Sequence, residues 1–250
     1  MAMNDSVPAP RVLVLGASGL VGSHVLGEAR SRGWPASGTT CSQAVDGLER
    51  VDLLDAIATR GAIAAARPDV VVLAAYGANV DGVEADPAAA RPLNVDAQKR
   101  VADEAAAAGA RLVWFSTDYV FDGAAGPYAE DDAPAPLCAY GEQKLEVERW
   151  LLATHPDSLV LRVTWIFGAE RRGMNFAARL AANLARGADV TVPEDQCSNP
   201  THAGFIAECA LDLAAAGAAG LVHVAGADWC SRLEHARRIA ARLGLPVATL

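Results

Sequence analysis

RVLVLGASGLVGSHVLGEARSR, residues 11–32, couples a short apolar run to a glycine-rich turn and an amphipathic segment. Arg11 to Leu15 reads as a strand of a parallel sheet, apolar enough to be buried on both faces. Gly16, Gly19 and Gly22 follow in G-x-x-G-x-x-G spacing, and a helix is expected to run to about Arg32. Glycines there permit a tight turn and close approach to the backbone. The helix start offers unpaired N–H groups and a partial positive charge to a pyrophosphate. Strand, turn and helix in that order point to dinucleotide binding, with Gly16, Ser18, Gly19, Leu20 and Gly22 facing the phosphates. The alternative is an ordinary glycine-rich turn.

Outward from this unit, a second strand is expected over Trp34–Gly38. An NAD-selective unit would close it with an acid for the ribose 2′-hydroxyl. Gly38-Thr39-Thr40-Cys41-Ser42 contains none. The hydroxyls of Thr39 and Thr40 suit a 2′-phosphate, which favours NADPH and leaves NADH open. No arginine sits in the turn itself, so Arg32 or Arg50 would have to fold in. Asp52, in Val51-Asp52-Leu53, serves either the adenine amino group or, as a cap, the helix expected over Ala56–Ala66. Asp69–Tyr76 reads as a third strand, whose end (Ala74, Ala75, Tyr76) should pass the cofactor. Pro87–Ala108 reads as one long Ala-rich helix. Asn94 within it either bonds a distorted backbone near the cofactor or is exposed.

A fourth strand covers Leu112–Phe115 and a fifth Leu159–Val163. A helix over Gly173–Arg186, a short strand over Asp189–Val192, a polar loop opening a helix to about Ala216, a strand over Leu221–Val224 and a helix over Arg232–Leu243 complete the chain. Strands alternating with helices predict an α/β fold, a doubly wound parallel sheet of Rossmann type with right-handed crossovers. The expected division is a disordered tail (1–10), a dinucleotide-binding domain (11–165) and a small C-terminal substrate lobe (166–250) that partly returns to the sheet.

At 250 residues, 52% hydrophobic and 20% charged, the chain can bury a sizeable core. A net charge of −9 with no lysine or arginine cluster argues against a nucleic-acid partner. No apolar leader or membrane-length stretch is present, so no membrane association is expected. Five scattered cysteines without C-x-x-C spacing suggest free thiols in a reducing cytoplasm. The dispersed histidines show no metal-ligand spacing, and no metal site is expected. A homodimer stays open, since no apolar stripe compels one.

The chemistry concentrates in STDYVFDGAAGPYAEDDAPAPLCAYGEQK, residues 116–144. Thr117 stands at the end of the fourth strand. Tyr140 and Lys144 lie four residues apart at the start of a helix, on one face. A hydroxyl opposite a Tyr/Lys pair suits proton transfer to a carbonyl oxygen. An ammonium is expected to lower the phenol from its usual pKa of about 10. The alternative is a solvated lysine one turn from a packed tyrosine.

GASGLVG, VDLLD, PDVVVLAAYGANVDGVEADP, STDYVFDG, YGEQKLEVE, RVTWIFG and DQCSNPT together resemble the dTDP-4-dehydrorhamnose reductases, extended short-chain dehydrogenase/reductases. The resemblance spans most of residues 11–245. It implies reduction by NAD(P)H of the 4-keto group of a dTDP-linked 4-keto-6-deoxyhexose, in deoxysugar or rhamnose biosynthesis. By position it makes Thr117, Tyr140 and Lys144 catalytic, with the last two also touching the cofactor. Tyr119, Trp165, Asn175, Phe176 and Gln196 fall where the family lines its sugar-nucleotide pocket. The chain departs from the pattern where the DQ motif usually carries a glycine before Pro-Thr; Ser198-Asn199 stand there, so a reshaped substrate loop is expected. The sequence ends at Leu250, short of most members, which favours an altered sugar, as in the short 4-ketoreductases of deoxysugar pathways. A 4,6-dehydratase is disfavoured, because Thr117 is followed by Asp118-Tyr119 and not by an Asp-Glu pair. A sugar-nucleotide epimerase and a binding subunit, like the regulatory partners of methionine adenosyltransferase in the same fold family, are the competing readings.

Overall fold

The computed structural model describes residues 8–42 and 44–246. In chain order the elements are β1 (Val12–Leu15), α1 (Leu20–Ser31), β2 (Ala36–Thr40), β3 (Glu49–Arg50), α2 (Ala56–Ala66), β4 (Val70–Leu73), α3 (Val80–Ala85) and α4 (Pro87–Arg91). A π-helical turn (Pro92–Asp96) leads into α5 (Ala97–Ala107), β5 (Arg111–Thr117), a 3-10 turn (Asp118–Val120), α6 (Ala139–Thr154) and β6 (Leu159–Val163). Then follow β7 (Ile166–Phe167), α7 (Phe176–Ala185), β8 (Cys197–Ser198), β9 (Thr201–His202), α8 (Ala203–Ala215), β10 (Gly220–Val224), β11 (Cys230–Ser231) and α9 (Arg232–Leu243).

Seven strands form one parallel sheet in the order β3-β2-β1-β4-β5-β6-β10. Alternate residues of each strand serve opposite layers, as the pleat requires. Val12, Val14, Val70, Val72, Val113 and Phe115 pack on α1 and α8 through Val25, Leu26, Ile206 and Leu211. Leu13, Leu15, Val71, Leu73 and Trp114 pack on the α2, α5 and α6 side through Ile63, Val101, Val147 and Leu151. Each such fully buried aliphatic side chain contributes about 1.5–3 kcal/mol, so the sheet and its two helix layers form without local propensity deciding the matter. The order reverses at β1, with β2 on one side and β4 on the other. The crevice at their carboxyl ends is where open α/β sheets bind ligands.

Several expected boundaries moved for identifiable reasons. β2 starts at Ala36, not Trp34, because the Trp34 N–H donates to Ala29 O and closes α1 instead. The third strand ends at Leu73, and the backbone then turns across the sheet edge toward Asn94. The long helix over 87–108 is interrupted: Pro92 has no N–H to donate, and the chain passes through a π turn there. Asp189–Val192 forms no strand. Val190 and Val192 pack, half-buried, against the cluster of Leu180, Leu184, Ala236 and Ala240 between α7 and α9. Among the described residues no helix is long and apolar enough to cross a membrane.

Candidate active site

Gly16 (φ +88°) lies so close to Ala75 that a Cβ would sit 2.7 Å from the Ala75 nitrogen, and one on Gly22 would sit 2.3 Å from the Gly16 oxygen. Only glycine fits either place. Gly19 precedes α1 and has no side chain to cap it, so the first helical N–H groups, from Leu20 on, face the crevice without a side-chain acceptor. That cradle fits a pyrophosphate. Ser18 and the two threonines of β2 brace it. Thr40 Oγ1 donates to Ser18 Oγ at 2.9 Å, and the Gly16 N–H reaches Thr39 Oγ1 at 3.4 Å. Thr39 and Thr40 are buried, so these hydroxyls face the loop more than the open end of β2.

Cations reach that end from elsewhere. Arg50 Nε donates to Cys41 O at 3.0 Å, and Arg172 Nη2 donates to Ser42 Oγ at 2.8 Å. Neither guanidinium has a carboxylate partner among the described residues. Arg50 thus folds in as one of the two expected candidates, while Arg32 is tied to Glu28 and Asp212 on α1 and α8. Asp52 is exposed and accepts the Leu54 N–H at 2.9 Å. The cap of α2 is Asp55, which corrects that half of the expectation for Asp52. Leu53 is buried, and its carbonyl holds the Arg100 guanidinium.

At the end of β4, the Ala74 N–H bonds Leu15 O, and Ala75 O accepts from Gln98 Nε2 at 3.0 Å. Asn94 is buried in the π turn, where Oδ1 accepts the Gly77 N–H at 2.9 Å. It therefore braces the irregular backbone that carries Tyr76.

β5 delivers Thr117, and the first turn of α6 delivers Tyr140. The two elements pack tightly because position 141 is glycine: a Cβ there would lie 2.3 Å from Tyr119 O. Thr117 neighbours the Tyr140 phenol and favours its charged form. Thr117 Oγ1 also accepts the Tyr119 N–H and donates to Asp118 Oδ1, both at 3.2 Å. One turn further, Lys144 is buried, donates to Phe115 O at 2.7 Å, and holds its nitrogen 3.5 Å from the Tyr76 ring centroid. Burial keeps this amine well below the usual lysine range, opposed by the charge of Glu148.

The expected lowering of the Tyr140 phenol by Lys144 is not found. Burial first, then Asp118 and Tyr119, push it above its ordinary value. A phenol held this way stays protonated, which is the form a proton donor needs.

A cleft of about 590 Å³ opens beside this corner. Tyr119, Trp165 and Gln196 line it, as do Phe121, Trp229 and Arg232. Trp165 adopts φ +34°, unusual for a bulky residue, and its ring carries the Arg232 guanidinium 3.6 Å from the centroid. Asn175 and Phe176 stand behind the wall. Asn175 caps α7 and donates to Gly168 O, while Phe176 packs against Arg232 and His235.

Sequence reasoning missed Arg232, which no motif distinguishes. It also missed Asp118 as part of the site, along with Glu148 and Arg162, a buried ion pair bonded at 2.5 and 3.0 Å beneath Thr117 and Lys144. Y-x-x-x-K-x-x-x-E spacing was the available signal for Glu148, one turn past Lys144.

The model of the RmlD substrate binding domain family matches residues 10–250. Methionine adenosyltransferase 2 subunit beta of Bos taurus is 35% identical over 252 residues, covering 98% of this chain and 75% of that protein. dTDP-4-dehydrorhamnose reductase of Mycobacterium tuberculosis (strain CDC 1551 / Oshkosh) is 36% identical over 238 residues, covering 92% and 74%. The crystal structure of the dTDP-4-dehydrorhamnose reductase of Bacillus anthracis str. Ames in complex with NADP matches with a TM-score of 0.86 at 24% identity, over 95% of this chain and 82% of that one. With the sheet order, the glycine cradle and the extent of these matches in agreement, the chain belongs to the RmlD substrate binding domain family.

Proposed function

We propose that this protein uses NADPH to reduce the 4-keto group of a dTDP-linked 4-keto-6-deoxyhexose. The observation that carries this reading is the meeting of Thr117, Tyr140 and Lys144 in one corner between the glycine cradle and the cleft, Thr117 and Lys144 buried and Tyr140 half-buried. The reductase relative at 36% identity supports the reaction, and the Bacillus anthracis complex with NADP supports the cofactor.

Gly16, Gly19, Gly22 and the start of α1 would hold the pyrophosphate. Arg50 and Arg172 would hold the 2′-phosphate, which NADH lacks. Bound NADPH supplies the hydride. Tyr140 donates its phenolic proton to the substrate oxygen, and Thr117 holds that oxygen in place. The negative charge left on Tyr140 favours the ammonium form of Lys144, one helical turn away. Arg232, stacked on Trp165 and without a carboxylate partner among the described residues, would take the diphosphate of the sugar nucleotide.

A second reading has a specific observation behind it. The bovine relative is a subunit of methionine adenosyltransferase, and at 35% identity it is as similar to this chain as the reductase. A binding subunit needs the cleft but not a Thr/Tyr/Lys corner, which this chain retains. The test is nicotinamide oxidation with dTDP-4-keto-6-deoxyglucose, comparing NADPH with NADH and with a no-sugar control. Sugar-dependent oxidation that vanishes in Tyr140→Phe establishes the reductase. NADPH binding without oxidation favours the subunit.

A further inference from the structure

Lys144 is 4% exposed, and burial of that depth works against its ammonium form. Two aromatic rings stand where they can oppose the cost. The Lys144 nitrogen lies over the Tyr76 ring, 3.5 Å from its centroid, and over the Trp114 ring at 4.5 Å. Both distances fall within the range of about 6 Å over which the negative face of a π system attracts a cation. The rings come from neighbouring strands. Register pairs Leu73 of β4 with Trp114 of β5, and Tyr76 follows three residues after Leu73. α6 lays Lys144 against both, where its nitrogen also donates to Phe115 O at 2.7 Å.

A single side chain fixes the two walls. Gln98 of α5 is buried, and its Oε1 accepts from Trp114 Nε1 at 2.9 Å. Its Nε2 donates to Ala75 O and to Leu93 O, each at 3.0 Å. An indole N–H only donates and a carbonyl only accepts, so these partners settle which way the amide points. Gln98 thereby ties the Trp114 ring to the residue just before Tyr76. The Tyr76 ring in turn meets the Tyr140 ring at 87°, with centroids 5.6 Å apart. It therefore touches both members of the Tyr/Lys pair.

We propose that the Tyr76 and Trp114 rings form a cation–π box that favours the ammonium form of Lys144, with Gln98 fixing both rings. In this role Tyr76 and Gln98 act through Lys144, as positioning residues. The consequence for turnover rests on the reductase reading; the box itself does not. The titratable groups facing the amine are Glu148 and Tyr140 on its own helix and Tyr76 from the β4 side. Glu148 is shared with Arg162 on β6, and Tyr140 neighbours Asp118 after β5. Glu148 already opposes the effect of burial on Lys144, and the rings add to it.

The chain has two lysines, Lys99 and Lys144. Protein labelled with carbon-13 at lysine Cε gives two NMR signals that follow ionisation, and Lys99→Arg assigns them. Tyr76→Phe keeps the ring and should leave the Lys144 titration in place. Tyr76→Leu removes one wall and should move it down by at least about one pH unit, a tenfold loss of ammonium relative to amine. If Tyr76→Leu does not fold, pentafluorophenylalanine at position 76 carries the test, because it keeps the shape of the ring and reverses the charge on its face. An unchanged Lys144 titration in the ring-deficient variant would overturn the box, as would equal shifts in Tyr76→Phe and Tyr76→Leu. In turnover with NADPH and dTDP-4-keto-6-deoxyglucose, the ammonium is present below its pKa and lost above it. The alkaline limb of kcat/KM should therefore move to lower pH in Tyr76→Leu by the same amount as the NMR titration. Absence of turnover in the unaltered protein would overturn the reductase reading, while the NMR titration still decides the box.

Discussion

Glu148 and Arg162 place opposite charges at 2% and 5% exposure directly under the active corner. The Glu148 carboxylate accepts from Arg162 Nε at 3.0 Å, Arg162 Nη2 at 2.5 Å and Ser116 Oγ at 2.7 Å. Glu148→Leu would leave the guanidinium buried, with Glu130 O and His223 Nε2, at 3.3 and 3.1 Å, as its remaining side-chain hydrogen-bond partners among the described residues. A buried charge stripped of its partner costs about 3–5 kcal/mol. For a domain of this size, each kcal/mol shifts Tm by about 2–4 °C, so the expected drop is roughly 6–20 °C. Arg162→Met strands the carboxylate and should cost a similar amount. The double variant strands neither charge and should return to within about 1 kcal/mol of the original, because a buried pair replaced by apolar groups is close to neutral. Urea unfolding of the four proteins by circular dichroism closes the cycle. Losses that simply add in the double variant would refute the argument that the single-variant cost is an unpaired buried charge. Glu148 is also the charge that favours the ammonium of Lys144, so the stable double variant should still lose turnover.

Tyr140→Phe should lower kcat by roughly 10²–10⁴-fold while NADPH affinity, measured by fluorescence, stays within about twofold; near-full turnover would sink the mechanism. Arg232→Gln should weaken dTDP binding by about 1.5–3 kcal/mol in calorimetry without changing NADPH binding, and a loss of both would place Arg232 in the fold and not at the diphosphate. His235 is held at about 4, first by burial and then by Arg232 and Arg238. The unfolded chain takes up this proton near about 6.5, so the stability is full above that pH and is lost as pH falls through about 4. His235→Phe should flatten the unfolding free energy over that window, and an unchanged slope would show that another group sets it.

Much of the architecture was legible because its causes are local. Runs such as Val70–Leu73 and Leu112–Phe115 are apolar at every position, which suits strands covered on both faces, and the stretches between them repeat at helical spacing. Gly22 had to be glycine for a reason confined to one turn, its closeness to Gly16 O, and Tyr140 and Lys144 share a face because four residues make about one turn of helix. What needed the folded chain involves partners distant in sequence. Arg172 reaches Ser42 across 130 positions, and Ser198 reaches Asp118 across 80. Asn94 could be suspected of bracing a backbone, but its partner Gly77 was fixed only by the loop after β4. The proton affinity of Tyr140 marks the boundary most clearly. The sequence alone places an amine one turn away and so suggests a lowered phenol. The tertiary structure buries Lys144, covers much of Tyr140 and sets Asp118 beside the phenol, and there the desolvation of the phenolate outweighs the neighbouring amine.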